Sequence, residues 1–293
     1  MKVFFTWMID PEDPKIWKHF NVDGILVSLS SMLRGKILDR LTYLGFKRTY
    51  KYQGILIVDS LTKSIWSDGK DSERQLGNIL ALQLSLGADY VIHRDYPLIN
   101  KLVSEDEGWQ LLRKNLKTAE IYLDAAKRLG IEVITVAHGW DAASYAWSAE
   151  RLAAMGSKYI AIGSLLPLVR RKRTTIIDIV RAVREIVGPS IKIHVLGVFS
   201  PTIVAELRNM IDSIDTSSHM RAASAREVYY LAKNSLQRAK ISRLGYSMLI
   251  KNAKGDRLLE EFLSKIFSSQ DFVSMKYWLA VYNAYMIMKF VSL

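Results

Sequence analysis

The 293 residues contain no cysteine. Disulfides, thiolate nucleophiles and cysteine-ligated zinc or iron–sulfur sites are therefore excluded, and redox logic leaves the compartment undetermined. Nor is there an uninterrupted apolar run of the roughly 20 residues that a membrane-spanning helix needs. The most apolar stretch, "YWLAVYNAYMIM", is broken by Asn283 and bounded by Lys276 and Lys289, as suits a docked helix. At the start, the run from Val3 to Trp7 meets Asp10, Glu12 and Asp13 too soon to form a secretory leader. A cytoplasmic chain with no membrane partner is the expectation. Internal repeats and low-complexity linkers are missing as well. Negative charge is in short supply: 29 acidic against 41 basic residues give a formal charge of +12. That excess admits a polyanionic partner, because clustered Lys and Arg bind phosphates by releasing condensed counterions, although many basic proteins never meet nucleic acid.

What is present is ordinary core material, 49% hydrophobic, set out in a rhythm. Short β-branched runs recur from Val3 to Trp7, Gly24 to Leu29, Ile55 to Asp59, Asp89 to Asp95, Glu132 to His138, Tyr159 to Gly163, Ile191 to Val198 and Ser213 to Ser217. Helix-length amphipathic segments lie between them. "DEGWQLLRKNLKTAEIYLDAAKRLG", "AASYAWSAERLAAMG" and "TTIIDIVRAVREIVG" each stop on a glycine, at Gly130, Gly156 and Gly188. Strands alternating with helices predict parallel βαβ units, and eight of them fit an α/β fold of the closed (β/α)8 TIM barrel type. Residues 1–221 make the barrel in this reading. From Arg221 onward the pattern reads as helical throughout, so 222–293 form a helical C-terminal extension packed on the barrel, with the clearest internal break near Gly255. The longest excursions, 48–54 and 60–75, are where a barrel would carry function.

In a parallel barrel the C-terminal ends of all strands share one mouth. Those ends bring Asp59 with Ser60, Asp95, His138, Gly163 with Ser164, and Asp215 with Ser217 to one rim. Three carboxylates in one place need a ligand, a base or a metal to justify the desolvation. No HxH pair occurs on the first strand, which counts against the common metal-dependent barrel hydrolases, and no metal or cofactor is expected. Residue types alone stop at a barrel of unknown chemistry.

Four segments in order, "GILIVDS", "GADYVIHRDYP", "VAHGWDAASYAWSAERLAAMGSKYIAIGSL" and "IHVLGVFSPTIVAELRNMIDSIDTSSHMR", resemble the successive core motifs of the guanine transglycosylases. That family exchanges guanine for a 7-deazaguanine in tRNA and has relatives that act on DNA. The resemblance runs from about residue 54 to 221. It implies that Asp215 is the nucleophile at ribose C1′, that Asp59 handles the protons of the base, and that Asp95 reads the Watson–Crick edge of the guanine. His138 and Gly139 stand where the family has Gln-Gly, and Gly163 and Ser164 where it has Gly-Gly, so with Ser60 these line the base pocket. The implied partners are tRNA or DNA and a free 7-deazaguanine, with a homodimer typical of the family.

The chemistry accounts for these residue types independently. Exchange at C1′ with retention requires two inversions, hence a covalent intermediate on a carboxylate. A second acid with a raised pKa can protonate the departing base and accept a proton from the incoming one. A third, ionised carboxylate accepts two N–H donors from guanine, and the target nucleotide has to leave its stack. Departures from the family pattern are Leu61 and Thr62 in place of two glycines after Asp59-Ser60, His138 in place of glutamine, and the missing three-Cys, one-His zinc subdomain, whose absence makes DNA a rival to tRNA.

Each feature also has a structural explanation. Asp215 could cap a helix or partner a buried arginine, Asp59 and Asp95 could start helices, His138 could be a satisfied core histidine, and His219 a turn residue. Trp66, Tyr96, Trp140 and Tyr145 could simply pack. The run Arg170, Arg171, Lys172, Arg173 is a solvated basic patch in isolation and a phosphate clamp beside a nucleotide site, helped by Arg34, Lys36, Lys47, Arg48 and Lys51. Two other functions compete: a catalytically silent nucleic-acid-binding partner subunit of the same fold, and an unrelated TIM-barrel hydrolase.

Overall fold

All eight apolar runs become parallel strands: β1 (Lys2–Thr6), β2 (Gly24–Ser28), β3 (Ile55–Asp59), β4 (Tyr90–Ile92), β5 (Glu132–Ala137), β6 (Tyr159–Ile162), β7 (Lys192–Val195) and β8 (Ser213–Thr216). They hydrogen-bond in chain order and close into a barrel through β1 and β8, with Phe4 opposite Asp215. This is a computed structural model, and it describes residues 1–10, 12–32, 37–60, 73–98, 105–169, 172–232 and 235–293.

Strand alternation sorts the side chains. Phe4, Leu26, Ile57, Ile92, Ile134, Val136, Tyr159 and Ala161 fill the lumen, while Val3, Phe5, Ile25, Val27, Leu56, Val58, Ile160, Ile193 and Ile214 face the helical layer. The predicted helices form over Glu105–Leu129, Ala142–Ala154 and Arg173–Val187, ending at or within two residues of the expected glycines. Ala142–Ala154 starts in a capping box, in which Asp141 accepts from the Ser144 amide at 2.8 Å.

At the N-terminal end of the barrel three acids clip neighbouring strands. Asp23, Asp89 and Asp212 stand just before β2, β4 and β8, and accept the amides of Val3, Leu56 and Ile193 at 2.8, 2.7 and 2.8 Å. These carboxylates are consumed by the fold.

Residues after 221 depart from the expectation of continuous helix. Glu227–Ala232 and Ser235–Lys240 pair antiparallel as a hairpin, β9 and β10. The run "EVYYLA" has β-branched and aromatic residues, and its backbone finds tertiary partners: buried Asn283 accepts from the Tyr229 amide at 2.8 Å and donates to the Glu227 carbonyl at 2.9 Å. Tertiary pairing thus overrides the helix preference of Ala, Leu, Lys and Gln. Helices follow at Ile241–Ala253, which is broken at the non-helical Gly245, at Arg257–Ser268 and at Phe272–Ser292, the last two N-capped by Asp256 and Asp271.

The final helix has a structural task. Among the described residues between β1 and β2 the helical structure is the short 3-10 turn Ile16–Lys18, and Phe272–Ser292 packs against β1, β9 and the helix Ser218–Ser224. His19 Nε2 lies 2.8 Å from the Tyr277 hydroxyl, and the Phe20 and Tyr285 rings meet edge-on at 5.1 Å. The apolar stretch is thereby used inside the protein. No helix among the described residues is long and apolar enough to cross a membrane.

Candidate active site

Strand β8 alternates, so Ser213 and Asp215 point to the lumen while Ile214 joins the helical layer. Asp215 is 5% exposed. Its Oδ1 accepts from the Gly197 amide at 2.6 Å and faces His194 Nε2 at 3.2 Å, and its Oδ2 accepts from Thr6 Oγ1 at 3.0 Å. A carboxylate only accepts, so His194 presents its proton on Nε2. With the ring neutral, its Nδ1 accepts from Ser213 Oγ, 2.7 Å away, and Ser213 accepts in turn from the Tyr159 hydroxyl at 2.5 Å. Burial pushes the Tyr159 phenol up to about 12, so it keeps its proton. A directed chain of donors therefore climbs the lumen wall, from Tyr159 through Ser213 and His194 to Asp215. Two donors occupy Oδ1 and one occupies Oδ2, leaving Oδ2 the less engaged oxygen.

Across the rim, Asp59 ends β3. Burial, followed by the charge of Asp95 and, after an opposing bond from the Ser60 amide, that of Asp215, holds its carboxyl well above the usual range; Arg94 also opposes the rise. Asp95 goes the other way. Burial raises its pKa, but the hydrogen bond and charge of His138, with His93 and Arg94, outweigh burial and bring it below the ordinary value. Neighbouring carboxyls driven apart in this manner suit different roles, Asp59 binding a proton more tightly and Asp95 keeping its charge more readily.

His138 is fully buried between two partners, Asp95 Oδ2 at 2.8 Å from Nε2 and Ser164 Oγ at 2.9 Å from Nδ1. Gly163 makes room for it, since a Cβ there would fall 2.5 Å from His138 Cε1. The Gly163 amide donates to the Ala137 carbonyl at 3.0 Å, and its own carbonyl accepts from the Tyr145 hydroxyl at 2.8 Å. Ser164 has φ +59°, the left-handed backbone that glycine takes freely. Gly139 is pressed against the next helix, with a would-be Cβ 2.6 Å from the Tyr145 nitrogen. Ser60 is buried, with its Oγ 3.3 Å from the His93 carbonyl.

Asp59, Asp95, His138, Ser164 and Asp215 thus come together at one mouth. Lys172 and Arg173 lie at the start of the helix after β6, where Arg173 pairs with Glu206. Arg34, Lys36, Leu61, Thr62, Trp66, Arg170 and Arg171 lie outside the described residues. Trp140 is 42% exposed and meets Trp109 edge-on at 5.2 Å. Tyr145 is buried, and Tyr96 lies under Lys114 at 3.6 Å and Arg94 at 4.9 Å. His219 belongs to the helical layer, edge-on to Phe5 at 5.1 Å, and burial followed by the Arg221 charge lowers it to about 3, so it is neutral. Arg94, His194, Ser213, Tyr159 and Thr6 were not among the residues expected at the site. Lumen parity on β7 and β8 is the signal that points to His194 and Ser213. Among the described residues no group of three or more His, Asp or Glu could hold a metal.

No family model matches the chain. Among curated proteins it is similar to a DNA-guanine transglycosylase of Salmonella montevideo, at 30% identity over 109 residues, which are 37% of this chain and 26% of that protein. The match therefore spans about a quarter of the relative's length.

Proposed function

From a resemblance to the guanine transglycosylases carried by both motifs and a curated relative, we propose that this chain exchanges guanine for a 7-deazaguanine in nucleic acid, with DNA as the polymer. The observation that carries the proposal is the set of three carboxyls on one rim in three different states of engagement: Asp215 held by three donors, Asp59 raised and Asp95 lowered. DNA is favoured because the relative's name specifies it and because the chain lacks the cysteines of the zinc subdomain.

In this mechanism a nucleotide swings out of its stack into the mouth. Asp95 accepts two N–H groups from the guanine edge while His138 and Ser164 fix its orientation. Asp215 Oδ2 attacks C1′ opposite the base. The C1′–N9 bond breaks with its electron pair going to the base, and Asp59 supplies the proton that leaves the guanine neutral. The incoming base then loses its N9 proton to Asp59 as N9 attacks C1′, which expels the Asp215 carboxylate and restores the starting configuration.

Incubation with duplex DNA and labelled guanine, with tRNA in a parallel arm, tests the proposal. Incorporation into DNA is expected, and Asp215→Asn should abolish both incorporation and a denaturant-resistant protein–DNA adduct. Incorporation into tRNA alone would move the activity to that polymer. Binding of DNA without exchange into either polymer would favour a silent partner subunit.

A further inference from the structure

Residues 221–243 carry Arg221, Arg226, Lys233, Arg238, Lys240 and Arg243 against the single acid Glu227, a net +5 within a chain of +12. The fold gathers this charge. Lys240 Nζ donates to the Ala225 carbonyl at 2.5 Å and lies 3.7 Å from Glu227, which also takes Arg238 at 3.2 Å. The Ile241 amide donates to the Arg226 carbonyl at 3.0 Å, joining the helix Ile241–Ala253 to the base of the hairpin two residues before Arg243. Arg226 occupies a left-handed backbone position, φ +53°, with its guanidinium 4.6 Å over the Phe272 ring. Arg221, Arg226, Arg238, Lys240 and Arg243 are all exposed. Among the described residues Glu227 is the acid that pairs with this group, and the like charges gathered at the hairpin repel one another.

The hairpin also stands beside the mouth. Tyr229, opposite Arg238 in the register, meets edge-on at 5.9 Å the ring of Phe199 in the segment leaving β7. Arg221 Nη2 donates at 2.8 Å to Ser218, three residues beyond Asp215.

We infer that the junction of hairpin and helix, through Arg226, Arg238, Lys240 and Arg243, is a docking surface for the sugar–phosphate backbone of DNA flanking the extruded nucleotide. The inference rests on the exchange reaction proposed above for the choice of polymer, and the surface supplies positioning affinity without sequence preference.

The experiment compares the full chain with three variants in binding to duplex DNA over a range of salt concentrations. The first is the triple variant Arg238→Gln, Lys240→Gln, Arg243→Gln. It should bind at least tenfold more weakly near 0.1 M salt, with the slope of log K against log salt reduced by about 0.9 for each phosphate no longer neutralised. The charge-conserving triple Arg238→Lys, Lys240→Arg, Arg243→Lys should retain binding, which separates the effect of charge from a failure to fold. A control triple on the remote helix Glu105–Leu129, Lys117→Gln, Lys127→Gln, Arg128→Gln, should bind like the parent.

Equal weakening in the control, or none in the first triple, would overturn the inference, as would binding to anionic lipid vesicles with no binding to DNA. Guanine affinity measured by calorimetry should be the same in all four proteins. Exchange into DNA that is unaffected by the first triple would sink the surface and leave the exchange reaction standing. A salt-dependent surface with no exchange would do the reverse.

Discussion

Ser213→Ala removes the middle of the chain of donors beneath the nucleophile. Two buried groups lose their partner at once, the Tyr159 hydroxyl at 2.5 Å and His194 Nδ1 at 2.7 Å. Stranding one buried polar group costs roughly 1–3 kcal/mol, so the variant should lose about 2–6 kcal/mol in urea unfolding. Adding Tyr159→Phe removes one stranded hydroxyl, and the double variant should therefore be less destabilised than the sum of the singles by about 1–3 kcal/mol. The functional consequence is separate. Without Ser213 only Asp215 holds the imidazole proton on Nε2, and the ring loses the second anchor that fixes the donor facing Oδ1. Exchange should fall about 10- to 1,000-fold through kcat, since the base pocket across the rim is untouched. Strictly additive unfolding energies, together with an exchange rate equal to that of the parent, would show that the donors form no chain.

Asp59→Asn should abolish exchange and alter stability with a definite sign. The folded-state pKa of Asp59 lies above the unfolded value of 3.8, so between the two the folded chain binds the extra proton and stability declines as pH rises through that window. The asparagine variant should escape that decline and melt higher than the parent at neutral pH; a lower melting temperature there would contradict it. Asp95 has the opposite sign, contributing stability above its unfolded pKa that is lost on acidification through its depressed folded value. Gly163→Ala places a methyl 2.5 Å from His138 Cε1 and 2.8 Å from Val136 Cγ1. Overpacking of about 1–3 kcal/mol should push His138 off Asp95 and weaken guanine binding, measured by calorimetry. Asn283→Leu strands the Tyr229 amide and the Glu227 carbonyl and should destabilise by about 2–6 kcal/mol in urea unfolding.

The barrel was legible because most strands are short apolar runs alternating with helix-period segments, a local pattern that tertiary packing reinforces. The hairpin was not, because "AREVYYLAKNSLQRAKIS" mixes strand and helix formers, and its deciding partner, Asn283, lies 54 residues from Tyr229. At the site the acids were visible as polar residues at strand ends. The support beneath Asp215 was not, since Tyr159, His194 and Ser213 come from three adjacent strands and meet only through their register. Gly163 drew attention as part of a motif, whereas its packing explanation required knowing where the His138 ring lies.

Position along the strand separates the two kinds of acid in this chain. Asp23, Asp89 and Asp212 precede their strands, where the neighbouring strand offers an amide that its ladder has not yet used, and each carboxylate takes one. Asp59 and Asp215 are on the last two residues of their strands and face the lumen, with Asp95 just beyond β4. There the ladder is ending and few backbone donors remain. Asp215 therefore draws its partners from a glycine amide, a histidine and a threonine, Asp95 from a histidine, and Asp59, with the Ser60 amide, keeps the raised pKa that burial and its acidic neighbours impose. Burial, acidic neighbours and unequal donors around the mouth set the three acids in different states, which is the condition the proposed double displacement with proton transfer requires.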